Sequence, residues 1–463
     1  MVRALLDRPV RESENVRNTW NYPLVQAIFQ RRARRFPLGA EMPGGVAPFK
    51  STKPPVPLDE IEEAMLAMAA TGLSGLNLSD LPFSDAAGAS WCGNTMIQFT
   101  GRAYASACGS HGTELFFTND EGAYYVQMRD KLPDKVSEFE TEEDWEKIVT
   151  AFRANTVKIV DGRLNIPMIS PLMLPFNQWN VNQPGTTLFT PITDVTWEFI
   201  NIMMLLMDEP NRAYVYDDMN GNAEPLKRFA DAGHLDRTRA YKLSALEAMA
   251  SQATTGVEQA LMEQNMYLVA QAMGLGGWIF GGGAGPVVMG GTPLTPGLGF
   301  RFHQPTKRGP NAGPDWTGGA APVPVGLDGL FEAYCPPYYR SMTDAVQAIY
   351  DAKWGREGIY TESPTPIKDR KSLDLQVPKT TGWCLEATKT LCEYIWETYG
   401  RFPATVDPMQ MGIWFQAHHL ETEFYDRYYQ PGAYHLAIGE HMQNWHGGAA
   451  AGSRGQREAV AAR

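Results

Sequence analysis

Apolar residues recur at helical spacing in three segments of the chain. In LDEIEEAMLAMAA, which follows Pro57, four residues share one face behind an acidic first turn and predict a helix that ends near Gly72, namely Leu58, Ile61, Met65 and Met68. The segment from Ser244 to Met273 predicts a second long helix, and we interpret its stripe of methionines as core packing. The segment WCLEATKTLCEYIWETYG predicts a third helix, closed by Gly400.

A fourth helix is predicted from its buried character. The stretch ITDVTWEFINIMMLLM is apolar almost all round, and Thr190 and Pro191 before it suit an N-cap and a first helical residue. Two hairpins are predicted from turn residues between apolar runs. The first joins residues 114–118 to 123–128 through NDEG, and the second joins TVKIV to RLNIP through DG.

Composition excludes several classes of function. The chain has 463 residues, 44% of them hydrophobic, which is enough for a large core and two or three domains. A formal net charge of −12 argues against partners such as nucleic acid or an anionic membrane surface. Five scattered cysteines without a Cys-x-x-Cys spacing favour a reducing compartment over a disulfide framework or a structural zinc site. With a charged N-terminal segment and no apolar stretch of membrane-spanning length, we expect a cytoplasmic protein.

Residues 1–18 and 447–463 are charged, small or polar, without an apolar pattern, and we expect both tails to be disordered. The common phosphate-binding, metalloprotease and serine-hydrolase motifs are absent from the sequence. A cluster of arginines stands out instead in the segment FQRRARRFPLG, at Arg31, Arg32, Arg34 and Arg35. Four like charges so close together need either open solvent or a bound anion. Both alternatives stay open on the residues alone.

The order of several short segments resembles the nitroreductase-like flavoproteins. These are RRARR at 31–35, SGLN at 74–77, a strand around ELFF, and QNMYLVAQAMGLGG at 264–277. The segment GRAYASACGSHGTELFF is similar to the thiazoline-oxidase branch of that family. Two departures are visible, because Ala33 stands where the family often has a phosphate-binding serine and the distance from the first arginine to Phe36 is short.

The resemblance implies an α+β fold with a mixed or antiparallel sheet packed by helices. It covers a flavin domain at residues 19–305 and leaves residues 306–446 as a helical C-terminal extension. It also implies a homodimer that binds flavin mononucleotide (FMN) and transfers hydride to or from a small organic substrate, with NAD(P)H as a possible electron donor. The flavin carries the electrons, and the protein supplies position and electrostatics.

The resemblance also implies a set of cofactor-binding residues. Arginine forks suit a phosphate, so Arg31 and Arg32 are its expected ligands. Arg35, or alternatively Arg34, would reach the edge of the ring that gains negative charge on reduction. The remaining expected contacts are Ser74, Asn77, Gly276, Gly277 and, as a second phosphate ligand or a plain surface arginine, Arg301.

Two other interpretations remain. A flavin-free descendant could use the old pocket for binding or for assembly with a partner protein. A metal-dependent enzyme could be centred on His418 and His419 in QAHHLETEFYDRYY, since histidine and carboxylate bind zinc or iron. Adjacent histidines project in different directions, however, and no third histidine follows at i+4. We therefore favour a polar strand-to-helix junction there and assign no metal ligand.

Overall fold

The computed structural model describes residues 14–78, 95–133, 135, 139–141, 144–307 and 321–446. The predicted tail at 447–463 and the first thirteen residues of the predicted tail at 1–18 lie outside these ranges. The helices are α1 Glu14–Trp20, α2 Leu24–Gln30, α3 Glu60–Thr71, α4 Trp145–Asn155, α5 Val195–Met207, α6 Lys227–Asp231, α7 Leu243–Ser251, α8 Val257–Met273, α9 Gly285–Met289, α10 Met342–Trp354, α11 Arg370–Gln376, α12 Gly382–Tyr399, α13 Thr422–Tyr428 and α14 Leu436–His446.

The strands are β1 Glu41–Met42, β2 Phe49–Lys50, β3 Leu73–Leu76, β4 Thr100–Arg102, β5 Thr113–Thr118, β6 Gly122–Val126, β7 Thr156–Asp161, β8 Thr187–Asp194, β9 Ala213–Tyr216, β10 Asp236–Lys242, β11 Gly276–Phe280, β12 Arg301–His303, β13 Val323–Leu327, β14 Phe331–Glu332, β15 Met409–Gln410 and β16 Trp414–His418. The main sheet has the order β11-β16-β8-β5-β6-β7, and β15 also pairs with β8. All its pairings are antiparallel.

Helices cover both faces of this sheet, which explains why every residue of β5 is buried. Alternate side chains of β5 enter different cores. Leu115 and Phe117 pack with α3, α4 and α8 on one face. Phe116 packs with α5, α10 and α12 on the other. The fold is therefore α+β, as predicted.

Most predicted helices are confirmed. The first predicted helix is α3, and its N-cap Asp59 makes a reciprocal capping box with Glu62. The long helix predicted from Ser244 is α7 and α8 joined by one turn of π-helix at Gln252–Gly256, and Gly274 ends it at a φ of 87°. The first hairpin is β5 and β6. The polar strand-to-helix junction is also confirmed, as β16 followed by α13.

Three local predictions are wrong. Thr190 and Pro191 lie inside β8, and Asp194 is the N-cap of α5, because this stretch is fully buried between β5 and β16 before the helix begins. The segment RLNIP is not a strand, since β7 pairs with β6 instead of forming its own hairpin. Residues 14–18 belong to α1 and bury Val16, so the predicted N-terminal tail is too long by these residues.

The sheet crosses the predicted domain boundary between residues 305 and 306. Strand β16, from the predicted extension, lies between β11 and β8 from the predicted flavin domain. Residues 321–446 contain five helices, but they also complete the main sheet and cannot be removed from it without breaking three strand pairings, β11 with β16, β16 with β8 and β15 with β8.

Candidate functional site: an arginine pocket

The four arginines follow α2 in an extended segment and are not part of a helix. The backbone N–H of Arg34 donates to the carbonyl oxygen of Gly277 on β11 at 3.2 Å. The backbone N–H of Arg35 donates to the hydroxyl of Tyr425 on α13 at 2.9 Å. These bonds hold the arginine segment between the edge strand of the sheet and a C-terminal helix.

Three of the four guanidinium groups lie against aromatic rings. Arg31 is 4.4 Å from the ring centre of Tyr267, and Arg35 is 3.9 Å from that of Trp278. Arg34 lies over the ring of Tyr425 at 5.7 Å. Such contacts between a cation and an aromatic face are each worth about 0.5–2 kcal/mol.

Arg32 differs from its neighbours. Its guanidinium donates to the carbonyl oxygens of Phe29 and Arg31 at the C-terminal end of α2, both at 2.8 Å, in an exposed position. The structure therefore gives Arg32 a local contact with the end of a helix and places the other three side chains deeper.

The Nε atoms of Arg31, Arg34 and Arg35 are buried and have no hydrogen-bond partner among the described residues. None of the three side chains forms an ion pair with a described carboxylate either. Burial lowers the pKa of Arg34 and of Arg35 below the usual arginine value. A buried donor without a partner costs about 1–3 kcal/mol, and an acceptor placed at these groups would remove that cost.

A cavity of about 410 Å³ opens beside these arginines. Its size lies within the usual range of ligand pockets, roughly 300–1,000 Å³. Arg34 and Arg35 supply positive charge to it. Its other lining residues are mainly aromatic or apolar, namely Ala33, Phe36, Met42, Trp179, Phe424, Tyr425, Tyr429 and Ala433. The cavity thus combines two cations with flat apolar surfaces.

Gly276 and Gly277 lie on β11, next to the arginine segment. A Cβ atom on Gly276 would be 2.8 Å from Nε2 of His418, and one on Gly277 would be 2.8 Å from the ring of Phe415. Both contacts are closer than packing permits. The glycines are therefore required for the close packing of β11 on β16, and Gly277 brings its carbonyl oxygen to Arg34.

The remaining predicted site residues lie elsewhere. Ser74 on β3 donates to the carbonyl oxygen of Arg102 at 3.0 Å. Arg301 on β12 is exposed and forms an ion pair with Asp328. Asn77 donates to the carbonyl oxygen of Thr100 at 3.3 Å and lines a different cavity. The structure brings the arginines and the glycine pair together and leaves these three residues outside the arginine pocket.

That second cavity measures about 790 Å³, and its buried polar network has no motif in the sequence. Nζ of Lys353 donates to Oδ1 of Asn201 at 2.8 Å, and Nδ2 of Asn201 donates to the carboxyl group of Glu198 at 3.3 Å. Burial raises the pKa of Glu198 to about 8 and lowers that of Lys353 to about 8. Lys353 is 152 residues from Asn201 in the sequence, so only the fold reveals the network.

His418 and His419 point in different directions, as expected for neighbours at the end of a strand. His418 is fully buried beneath Gly276, and burial lowers its pKa to about 3, so its imidazole is uncharged at neutral pH. The ring of His419 faces Glu62 on α3. The two histidines therefore do not form a joint centre.

No described helix has the length and apolar character needed to cross a membrane. No family model matches the chain, and no curated protein matches it. A search of solved structures finds the crystal structure of a putative nitroreductase from Ralstonia eutropha JMP134, with 15% sequence identity and a TM-score of 0.20, covering 60% of this chain and 74% of that one. A similarity of this size carries no information about cofactor, substrate or residue roles.

Proposed function

We propose that this chain is an FMN-dependent oxidoreductase that binds the flavin in the arginine pocket. The observation that carries the proposal is the set of three buried guanidinium Nε atoms without a partner among the described residues, at Arg31, Arg34 and Arg35. A phosphorylated flat cofactor would satisfy both the unused donors and the aromatic walls of the cavity. The order of motifs in the sequence points to the same cofactor.

FMN would supply hydride chemistry, and the chain would supply binding and electrostatics. We assign the phosphate to Arg34, which lines the cavity, and to Arg31, which belongs to the same segment but not to the lining, because Arg32 is exposed and engaged with α2. Arg35, held on Trp278 and hydrogen-bonded to Asn177 at 2.6 Å, is a fixed cation that would stabilise negative charge on the ring edge. The substrate class is a small organic molecule, with NAD(P)H as a possible electron donor.

A homodimer forms part of this proposal. Five large apolar side chains on α1 and α2 are exposed, shortly before the arginine segment, namely Trp20, Leu24, Val25, Ile28 and Phe29. Phe29 is 74% exposed and Val25 65%. Clustered exposed apolar groups of this kind mark protein interfaces. A second copy of the chain on this face would also lie close to the arginine pocket.

A titration of FMN into purified protein tests the binding site. Replacing Arg31 or Arg34 by alanine should weaken FMN binding by about 1.5–3 kcal/mol, or roughly ten- to a hundredfold, because each removes a charge-assisted hydrogen-bond donor. The matched control is Arg228→Ala, since Arg228 also lies over an aromatic ring, that of Phe229, but belongs to α6 and not to the arginine segment. Wild-type affinity in both pocket variants would contradict the proposed site.

One feature favours a second candidate function. Ala33 lines the pocket and lacks the hydroxyl that a serine would offer to a phosphate. A flavin-free protein that binds another anionic, flat ligand, or a partner protein, would retain the arginines without FMN. Failure of the wild-type chain to bind FMN, together with tight binding of another aromatic anion at the same arginines, would favour this alternative.

A further inference from the structure

Three histidines and one glutamate form a cluster, namely His419, His441, His446 and Glu62. Nε2 of His441 is 2.6 Å from Oε1 of Glu62, Nε2 of His419 is 3.1 Å from it, and Nε2 of His446 is 3.2 Å from it. One potential ligand atom from each of the four residues lies within 4.8 Å of the others. Glu62, His419 and His441 are almost completely buried.

The glutamate is fixed before any ligand binds. Its Oε2 accepts the backbone N–H of Asp59 at 2.6 Å, as one half of the capping box that starts α3. Its Oε1 is thereby directed at the three imidazole rings.

The hydrogen bonds of the Nδ1 atoms define the tautomers of two of the rings, those of His419 and His441. Nδ1 of His419 lies 2.9 Å from the carbonyl oxygen of Val56, and Nδ1 of His441 lies 2.7 Å from that of Met273. A carbonyl oxygen only accepts, so both Nδ1 atoms must carry hydrogen. In a neutral imidazole the Nε2 atom then has a lone pair, and both lone pairs face Oε1 of Glu62.

Lone pairs that converge on a carboxylate oxygen repel one another unless a positive charge lies among them. Protonation of both rings would supply it, but would leave two imidazolium ions against one carboxylate in a buried place. A divalent cation resolves the conflict without this cost. It accepts the Nε2 and Oε1 lone pairs, while each Nδ1–H keeps its backbone carbonyl, which is the usual outer contact of a metal-bound histidine.

We propose that Glu62, His419, His441 and His446 bind one zinc ion. Three nitrogens and one carboxylate oxygen suit Zn²⁺, whose tetrahedral sites have bonds of about 2.0–2.1 Å and ligand atoms about 3.3 Å apart. The Nε2 atoms of His419 and His446, at 3.1 and 3.2 Å from Oε1, are already close to this spacing, and that of His441 is nearer, at 2.6 Å. None of the four residues lines either cavity described above, so the site offers four protein ligands and no open position for substrate.

The ion would therefore have a structural role. Glu62 comes from the first turn of α3, His419 directly follows β16, and His441 and His446 come from α14. Zinc would tie the C-terminal helix to the N-terminal part of the chain. It would also hold both ends of the segment 420–440, which carries Phe424, Tyr425 and Tyr429 of the arginine pocket.

Metal analysis and titration of the purified full chain test this assignment. We expect one zinc per chain after growth with added zinc, and stoichiometric binding of Zn²⁺ or of Co²⁺ after dialysis against a chelator. The Co²⁺ protein should show the intense visible absorption bands of a tetrahedral site. His446→Ala removes a ligand at the end of a helix, so it should fold normally by circular dichroism yet bind zinc more than roughly tenfold more weakly.

Glu62→Gln should weaken zinc binding in the same way, and His435→Ala is the matched control. His435 precedes α14 and lies outside the cluster, so its replacement should leave zinc binding unchanged. Wild-type protein that neither contains nor binds zinc or cobalt would overturn the proposal. Wild-type zinc affinity in both His446→Ala and Glu62→Gln would overturn it as well, because the metal would then bind elsewhere.

Discussion

Arg35 and Arg129 both lie over aromatic rings, but we expect their replacement to change different properties. Loss of Arg35 should mainly change the properties of the bound flavin, and loss of Arg129 should mainly lower the free energy of unfolding. Replacing Arg35 by alanine removes its contact with Trp278 and its hydrogen bond to Asn177, together worth about 2–5 kcal/mol. It also removes a buried Nε without a partner, whose burial costs about 1–3 kcal/mol. The free energy of unfolding of the flavin-free protein should therefore fall by only about 1–2 kcal/mol.

Arg129 forms a buried ion pair with Asp194, the N-cap of α5, and also donates to the carbonyl oxygen of Glu332 at 3.1 Å. Arg129→Ala leaves the Asp194 carboxylate unpaired in the core. That loss should cost about 3–5 kcal/mol of unfolding free energy. Arg129 does not line the arginine pocket, so FMN binding to the folded variant should be unchanged.

The reduction potential of the bound flavin should change in Arg35→Ala and not in Arg129→Ala. If Arg35 stabilises the reduced ring by about 1.5–3 kcal/mol more than the oxidised ring, Arg35→Ala should lower the two-electron reduction potential by about 30–65 mV. Urea unfolding of the flavin-free variants and redox titration of the flavin-loaded variants measure the two effects. A loss of stability in Arg35→Ala as large as that in Arg129→Ala, with an unchanged potential, would refute the reasoning and make Arg35 a structural residue.

Three further predictions concern other parts of the chain. Because the pKa of Glu198 is raised to about 8, the folded protein keeps a proton that the unfolded chain releases above pH 4.5. The stability that this protonated carboxyl group contributes is complete below pH 4.5 and is lost as the pH rises to about 8. Urea unfolding at several pH values should show a weaker decline across this window in Glu198→Gln, and an identical decline would contradict the assigned pKa. Phe29→Glu should reduce the mass in light scattering from that of a dimer to that of a monomer, whereas a wild-type monomer would refute the proposed interface. Removal of residues 447–463 should leave folding and FMN binding intact, and loss of soluble protein would show that this tail docks on the fold.

Local sequence patterns predicted elements whose signals are local. Gly274 and Gly400 end α8 and α12 as expected, with φ values of 87° and 65°, because glycine adopts the left-handed conformation that closes a helix. Thr190 and Pro191 misled the prediction of α5, since a threonine before a proline suits a helix start and burial between two strands overrode it. The place of β16 in the middle of the sheet depends on pairing with distant strands, which periodicity does not encode.

For the candidate site too, the sequence predicted the features that are local and missed those that depend on distant residues. The arginine cluster and the glycines of β11 were visible in the sequence as unusual composition, and the structure brings them together. The aromatic wall was not visible, because it comes from α13 and the residues around it. The histidine cluster was visible only in part. Sequence reasoning looked for a third histidine near His419, but the other ligands come from α14 and from the capping box of α3.

The visible absorption spectrum of the purified protein tests the central claim most directly. If the arginine pocket binds FMN, the preparation should be yellow, or become yellow and quench flavin fluorescence when FMN is added, and should release FMN on denaturation. A colourless preparation that takes up no added FMN would contradict the account.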